Sequence, residues 1–350
     1  MMRSERTTLT EFLIAERRRF PHATGELNAL ILEVSLACKA IASRVEYGEL
    51  VDRMAPGSAD KPRRSLPAIT HDLFVEATEW GGHVAGMVSR EQSIPIATAG
   101  GGPPGNYLLI FDALDGSSNC DVNATLGSLF SILRMPTPGD FASTEDYLQP
   151  GDRQVCAGYA IYGPATMLVL SVGTGVHGFT LEPRLGEFIL THSGMRIAGA
   201  TDEFAIDTSN SRFWEPAVKR YVDECVAGAN GPRGRDFAMR WVASLVAETH
   251  RILIRGGVFL DPRADPALSG LRLLHEANPV AFLVHQAGGA ATTGRQRVLD
   301  IVPDELDQRV GLIFGASDEI ERIEAYHRSF HPRDYDAPLF GMRGLFRDPR

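Results

Sequence analysis

Between residues 84 and 190 the chain is a succession of short apolar runs separated by glycine and proline. Seven runs follow one another: VAGMV, NYLLIFD, SLFSILRM, VCAGYAIYG, TMLVLSV, HGFTLEP and GEFILTH. Short apolar or alternating runs bounded by turn residues are typical of β-strands. The pattern therefore predicts a meandering sheet over this part of the chain.

Segments with helical spacing lie on both sides of the predicted sheet. Helices are predicted over residues 8–20, 25–50, 70–80, 214–228, 238–254, 273–289 and from about 316 to 330. Apolar residues recur in them at three- and four-residue intervals, which is the period of an amphipathic helix. Two further strands, GGVFLDP and VGLIFGAS, are predicted among the later helices. The chain is thus expected to have an α/β fold.

Size and charge restrict the functional class. A chain of 350 residues corresponds to about two domains or one large α/β domain. The net charge of −9 argues against a nucleic-acid partner, since such proteins usually carry a basic excess. The chain has no apolar stretch of about 18 residues and its first residues do not resemble a signal peptide. We therefore expect a cytoplasmic protein without a membrane anchor.

The segment IFDALDGSSN, residues 110–119, places two carboxylates at the end of an apolar strand. Asp112, Asp115 and the carbonyl of Leu114 offer the hard oxygen ligands that Mg²⁺ prefers. Gly116 permits a tight turn, and Ser117-Ser118-Asn119 are residues that cap helices, whose N-termini bind phosphate. The alternative is a capped turn in which both aspartates bond only the backbone. Two further acids, Glu91 and Glu276, favour the metal and phosphate interpretation.

Several longer motifs carry a family resemblance. They are FPHATGEL (20–27), FDALDGSSN (111–119), LQPGDRQVCAGYAIYGPATMLVL (148–170), LRLLHEANPVAFLVHQAGGAATTG (271–294), VLDIVP (298–303) and QRVGLIFG (308–315). In these motifs the chain resembles the class I fructose-1,6-bisphosphatases of the lithium-sensitive phosphatase superfamily. The resemblance runs from about residue 8 to residue 328.

The resemblance implies a layered αβαβα sandwich of two closely packed halves, usually assembled as a homotetramer. It divides the chain into an N-terminal half (8–196), a C-terminal half (197–328) and a tail (329–350). It also implies Mg²⁺-dependent hydrolysis of the 1-phosphate of fructose 1,6-bisphosphate, in a gluconeogenic or a Calvin-cycle context. A sedoheptulose-bisphosphatase-like enzyme is the alternative within the same chemistry.

The resemblance assigns roles residue by residue. Metal positions are matched by Glu91, Asp112, Leu114, Asp115 and Glu276, of which Glu91 and Asp115 are also expected to be catalytic. Positions that bind the 1-phosphate and the rest of the substrate in the family are matched by Asp115, Gly116, Ser117, Ser118, Asn210, Arg240 and Trp241. Positions that bind AMP in the family are matched by Thr24, Gly25, Glu26, Leu27, Tyr107 and Arg134. The segment TGEL within this last set also has a simpler interpretation as a helix N-cap.

Three departures from the family pattern fall at the expected chemistry. Arg90 and Pro67 replace two acids that the family uses to position and deprotonate the attacking water, and Asp261 replaces a tyrosine of the sugar pocket. A cation at a metal position repels Mg²⁺, and proline can neither ligate a metal nor accept a proton through its side chain. Three interpretations follow: an active enzyme with a rearranged site that recruits Asp60 or Asp72, a catalytically impaired phosphosugar-binding or regulatory subunit, or a phosphatase of altered specificity.

Overall fold

The structure is a computed structural model that describes residues 6–19, 24–47, 65–96, 103–262 and 270–329. Asp60 and the tail after Ser329, for which the sequence raised expectations, lie outside the described residues. No helix among the described residues is both long enough and apolar enough to span a bilayer.

The seven predicted strands, together with a strand β2 that no apolar run indicated, form an eight-stranded sheet with the spatial order β2-β1-β3-β4-β5-β6-β7-β8, in which the predicted meander extends only from β3 to β8. Its strands are β1 (Val84–Ser89), β2 (Gln92–Ile96), β3 (Tyr107–Asp115), β4 (Leu126–Arg134), β5 (Cys156–Tyr162), β6 (Thr166–Ser171), β7 (Val176–Glu182) and β8 (Glu187–Met195). All neighbouring pairs are antiparallel except β1 and β3, which run parallel. The carboxyl ends of β1 and β3 therefore lie side by side.

A second, five-stranded sheet is built from the C-terminal part of the chain, in the order β10-β9-β11-β15-β13. Its strands are β9 (Glu203–Ile206), β10 (Ala238–Met239), β11 (Val258–Asp261), β13 (Ala290–Thr292) and β15 (Leu312–Gly315), and β12 (Leu271–Arg272) pairs with β14 (Arg309–Val310) outside it. Strand β9 runs parallel to both β10 and β11. The ends of these three strands consequently share one edge.

Seven α-helices complete the described structure. They are α1 (Leu9–Arg17), α2 (Glu26–Tyr47), α3 (Leu66–Thr78), α4 (Pro216–Val226), α5 (Leu245–Arg255), α6 (Asn278–Gln286) and α7 (Ser317–Ser329). Helices α1 to α3 cover one face of the large sheet, and α5 and α6 lie between the two sheets, while α4 packs on α7 against the far side of the small sheet. The predicted αβαβα layering is confirmed.

Side chains of the large sheet alternate between two separate cores. On β4, Leu129 belongs to the core shared with the C-terminal half, whereas Phe130 packs under the N-terminal helices. On β6, Val169 and Leu170 divide in the same way. Burial on both faces explains why these strands read as continuous apolar runs rather than as apolar and polar residues in alternation.

Two predicted boundaries were wrong. The helix expected over 238–254 begins only at Leu245, because Ser244 is its N-cap and accepts from the N–H of Ala247 at 3.1 Å. Residues 238–239 are instead strand β10, which is held by hydrogen bonds to β9. The helix expected over 70–80 begins earlier, at Leu66, since Pro67 suits a first helical turn where no N–H donor is needed.

Candidate active site

Four of the predicted site residues are brought together by the parallel pairing of β1 and β3. Register places Ser89 beside Phe111, so Arg90 and Glu91 leave the sheet next to Asp112. Asp115 ends β3 three residues later. In mostly parallel α/β sheets ligand sites form at the carboxyl ends of the strands, and here the predicted site residues lie at the carboxyl ends of the parallel pair β1 and β3.

Arg90 lies between two buried carboxylates. Its Nε is 3.5 Å from Oδ2 of Asp112 and 3.5 Å from Oε1 of Glu276. The side chains of Asp112 and Glu276 are only 1% and 6% exposed. Glu276 belongs to a π-helical turn, Leu273–Ala277, that precedes α6, so the guanidinium joins an acid of each half of the chain.

Burial and crowding perturb the acids around Arg90. Burial, with a further contribution from Glu276, raises the pKa of Asp112 to about 8 although Arg90 opposes the shift. Burial likewise raises the pKa of Glu276. Burial disfavours the charge on Arg90, but the surrounding carboxylates outweigh it and raise the pKa of Arg90. One guanidinium thus faces several acids whose charged forms are disfavoured by burial.

Asp115 faces a different partner, the N-terminus of α5. Its Oδ2 accepts from the hydroxyl of Ser244 at 2.6 Å and from the N–H of Val246 at 2.9 Å. The N–H of Leu245 lies 3.4 Å from Oδ1. Burial raises the pKa of Asp115, and these three hydrogen bonds oppose that shift. The carboxylate therefore connects the strand of one half to a helix of the other.

The serine turn follows directly. Gly116 has φ +75°, which a residue with a Cβ adopts only with strain, and a Cβ there would lie 3.2 Å from Cβ of Ser244. Ser117 and Ser118 form a short 3₁₀ turn with Asn119 and are exposed. The expected tight turn is confirmed, and the two hydroxyl groups stand open to an incoming ligand.

The expected sugar-binding residues gather at the shared edge of β9, β10 and β11. Asn210 lies on a 3₁₀ turn after β9 and donates to Asp207 at 2.8 Å, and Arg240 follows β10 with Nε 3.5 Å from Glu203. The ring of Trp241 stacks on Phe259 with 6.0 Å between centroids and remains 41% exposed.

Asp261, at the end of β11, links this edge to the acidic cluster. Burial raises the pKa of Asp261 to about 6, with further contributions from Glu276 and Asp207. Because Glu276 also contacts Arg90, the strand ends of the two sheets face one another. The acids around Arg90 and the strand edge that carries Asp261 are therefore neighbours in the fold, linked through Glu276.

The first turns of α3 approach the end of β1. His71 Nδ1 lies 2.8 Å from the hydroxyl of Ser89, and that hydroxyl accepts from the N–H of Glu91 at 3.2 Å. Pro67 lies one turn before His71 and its carbonyl accepts from Thr70. Asp72, one of the acids considered as a replacement base, follows on the same helix.

A separate cavity of about 640 Å³ collects the residues expected to bind AMP. Its walls include Thr24, Gly25, Glu26, Leu27, Tyr107 and Arg134. Asn106 in the same wall donates to Glu26 at 2.9 Å. The guanidinium of Arg134 lies 5.6 Å from the centre of the Tyr107 ring. Residues far apart in sequence are thus assembled around one space.

The expected metal ligands can be tested against these contacts. Among residues 6–19, 24–47, 65–96, 103–262 and 270–329, no three His, Cys, Asp or Glu side chains are arranged to hold a metal ion. Asp112 and Glu276 enclose Arg90, and Asp115 is occupied by donors from α5. Among the described residues Oδ2 of Asp112 has no hydrogen-bond partner, and the assignment of Glu91, Asp112, Leu114, Asp115 and Glu276 as metal ligands stays a prediction.

Two residues that position the site, Ser244 and Arg272, were not foreseen, and Asn119 was expected only as a capping residue. Ser244 orients Asp115, and Asn119 donates to the carbonyls of Thr125 and Val242. Arg272 donates through its guanidinium to the carbonyl of Arg90 and through its N–H to Glu276 at 2.7 Å. Only Ser244 carried a usable sequence signal, because a serine before an apolar helical run is a typical N-cap.

Comparison with known proteins agrees with this architecture. Residues 7–193 match the family model of the fructose-1-6-bisphosphatase N-terminal domain, and residues 197–328 match that of the C-terminal domain. These two matches place the two-part α/β sandwich among the sugar phosphatases. More narrowly, the chain belongs to the fructose-1,6-bisphosphatase family.

Relatives and solved structures cover nearly the whole chain. A class 1 fructose-1,6-bisphosphatase of Methylibium petroleiphilum is 59% identical, with 98% of each chain aligned. One from Rhodospirillum rubrum is 50% identical over 99% of this chain and 100% of its own. The crystal structure of Leishmania major fructose-1,6-bisphosphatase in its holo form has a TM-score of 0.83 at 33% identity, covering 92% of this chain and 99% of the other.

Proposed function

We propose that this protein hydrolyses the 1-phosphate of fructose 1,6-bisphosphate to give fructose 6-phosphate and phosphate. The observation that carries the proposal is the meeting of Asp112 and Glu276, one from each half, on either side of Arg90. Relatives named as class 1 fructose-1,6-bisphosphatases at 50% identity and above support it.

The chain's own residues supply binding and orientation. The exposed Ser117 and Ser118 are proposed to seat the 1-phosphate, while Arg240 and Asn210 hold the distal phosphate and Trp241 packs beside the sugar. In the reaction, water forms a new P–O bond, the bond between phosphorus and the C1 oxygen breaks, and that oxygen gains a proton. Glu91, exposed beside Arg90, is the proposed acceptor of the water proton, and Asp115 is the second proposed catalytic acid.

Membership of the family implies a divalent-metal requirement, and Mg²⁺ is the ion that we propose. Mg²⁺ is commonly held by one or two carboxylates together with substrate phosphates, so a cage of protein ligands alone is not required. Glu91 is exposed next to Arg90 and is the carboxylate that we propose as a ligand. When bound, the ion would offset the negative charge of the phosphate.

A phosphate-release assay on purified protein tests the proposal. With Mg²⁺ and fructose 1,6-bisphosphate we expect turnover above about 1 s⁻¹, within the usual enzyme range. Sedoheptulose bisphosphate and inositol phosphates are the comparison substrates. A higher kcat/KM for sedoheptulose bisphosphate than for fructose 1,6-bisphosphate would favour the altered-specificity alternative. Tight binding of the bisphosphate without phosphate release would favour the impaired, regulatory alternative.

Repair of the departures gives a second test of the site. Arg90→Glu combined with Pro67→Asp should raise kcat more than either change alone, because the two acids are expected to act as a unit. Arg328→Gln, on an exposed arginine of α7, is the matched control. An unchanged rate in both single variants and the double variant would refute the placement of these two positions at the water.

We further propose that the cavity of about 640 Å³ binds AMP and lowers activity. Tyr107 and Arg134 offer an aromatic ring and a guanidinium suited to a purine and a phosphate. Calorimetric titration with AMP should show binding that Arg134→Gln weakens at least tenfold. Unaltered affinity in that variant would contradict the assignment.

The assembly and the compartment are also proposals. Trp80 and Ile94 are 72% and 69% exposed, which is unusual for large apolar side chains and supports a homotetramer. Light scattering coupled to size exclusion should give a mass near four times 38.1 kDa.

The cytoplasm is the compartment we expect. The boundary near residue 196 is the division we propose between the halves, in line with the two family-model matches.

A further inference from the structure

Arg90 occupies a place in which its charge matters more than its hydrogen bonds. Its Nε lies 3.5 Å from carboxylate oxygens of both Asp112 and Glu276, which is longer than an ordinary N–H···O hydrogen bond. Among the described residues, both this Nε and Oδ2 of Asp112 are buried and have no hydrogen-bond partner. The guanidinium therefore neutralises the two acids as a cation would, without the directional bonds of a fitted arginine fork.

The backbone of Arg90 is fixed at this position. Its N–H donates to the carbonyl of Phe111 at 3.0 Å, and its own carbonyl accepts from the guanidinium of Arg272. Arg272 is held in turn by Asp307, with Nε 3.4 Å from Oδ1. The side chain of Arg90 thus starts from a restrained point directly beside the two acids.

We propose that the Arg90 guanidinium replaces a divalent cation between Asp112 and Glu276, so that these two acids do not bind metal in this protein. This proposal deepens the proposed function. It rests on that function only because it takes the acids around Arg90 to be part of the phosphatase site. Two buried carboxylates without a cation would be strongly unfavourable, and Arg90 removes the need for a metal to complete the fold there. Under this proposal the metal ion is bound by Glu91 and by the phosphates of the substrate.

A calorimetric titration of the protein with Mn²⁺, without substrate, tests this replacement. Arg90→Gln removes the charge and leaves a polar side chain, and it should bind Mn²⁺ at least tenfold more tightly than the unaltered protein. Arg90→Lys retains a cation and should bind Mn²⁺ within twofold of the unaltered protein, as should Arg328→Gln. Equal affinity in Arg90→Gln and the unaltered protein would overturn the proposal.

A variant that leaves Arg90 in place covers the case in which Arg90→Gln does not fold. If Asp112 is paired with Arg90, Asp112→Asn should leave the Mn²⁺ affinity unchanged within twofold. A tenfold loss in Asp112→Asn would show that the carboxylate binds metal and would overturn the proposal. Both readouts are independent of turnover, so a protein that releases no phosphate but gains Mn²⁺ affinity in Arg90→Gln would refute the proposed function and support the replacement.

Discussion

Asp115 is expected to be a major determinant of stability as well as a site residue, and its replacement gives a quantitative test. The carboxylate is 8% exposed and accepts from Ser244 at 2.6 Å and from Val246 N–H at 2.9 Å. These donors belong to α5, which packs between the two sheets. Asp115→Ala removes both acceptors and leaves a buried hydroxyl and a buried N–H at a helix terminus.

The magnitude follows from the number and kind of bonds lost. A hydrogen bond to a charged group contributes about 1.5–3 kcal/mol, and the favourable position at a helix N-terminus adds about 0.3–1 kcal/mol. Burial raises the pKa of Asp115, so part of this gain is offset by the cost of the buried charge. We expect Asp115→Ala to lower the free energy of unfolding by about 3–5 kcal/mol. Asp115→Asn retains one acceptor oxygen and the shape, and should cost about 1–2 kcal/mol.

Urea unfolding followed by fluorescence and circular dichroism measures the difference. The control is Asp121→Asn, an exposed acid on the loop after the serine turn, which should change stability by less than about 0.5 kcal/mol. If Asp115→Ala stays within about 0.5 kcal/mol of the unaltered protein, the contact with α5 does not hold the two halves together and the reasoning is wrong.

Three further perturbations test other parts of the structure. Glu319, 2% exposed, accepts from Arg233 at 2.6 Å, so Glu319→Gln should destabilise by about 3–5 kcal/mol in urea unfolding, because it leaves Arg233 buried without a countercharge. Burial, aided by His192, lowers the pKa of His250 from 6.5 to about 4, so this side chain gains a proton on unfolding between these values; its contribution to stability should fall by about 1–2 kcal/mol from pH 8 to pH 5, measured as the difference in pH dependence between the unaltered protein and His250→Gln. Gly116→Ala should lower the midpoint of thermal unfolding by an amount that corresponds to about 1–3 kcal/mol, because φ at this residue is +75°; an unchanged midpoint would contradict the strain.

The sequence was informative wherever one local pattern determines structure. The runs between residues 84 and 190 predicted strands because burial on both faces leaves an unmistakable apolar composition. The helix predicted over 8–20 is present as α1, which begins at a reciprocal capping box of Thr8 and Glu11. The site acids were found because Asp112 and Asp115 end such a strand, and Glu276 stood out as a carboxylate among apolar residues.

Long-range partners could not be predicted in the same way. Nothing local to IFDALDGSSN indicates that Asp115 bonds Ser244, 129 residues away, or that Arg272 donates to the carbonyl of Arg90 across 182 residues. Such contacts depend on how two sheets pack through α5 and α6. The sequence identified Arg90 as a departure, whereas only the structure shows that its charge is satisfied by one acid from each half.

The same long-range contacts explain why a departure at position 90 is compatible with an intact fold. Asp112, Asp115 and Asn119 of the N-terminal half each connect to the C-terminal half, through Arg90 to Glu276, to α5, and to the carbonyl of Val242. A metal ion between Asp112 and Glu276 would act as a crosslink between halves that depends on cation supply. Under the proposed replacement, Arg90 provides that crosslink from within the chain. Loss of the positive charge at position 90, as in Arg90→Gln, should therefore alter metal affinity strongly and the arrangement of the two sheets only weakly, because the hydrogen bonds of Asp115 and Asn119 also connect the two halves.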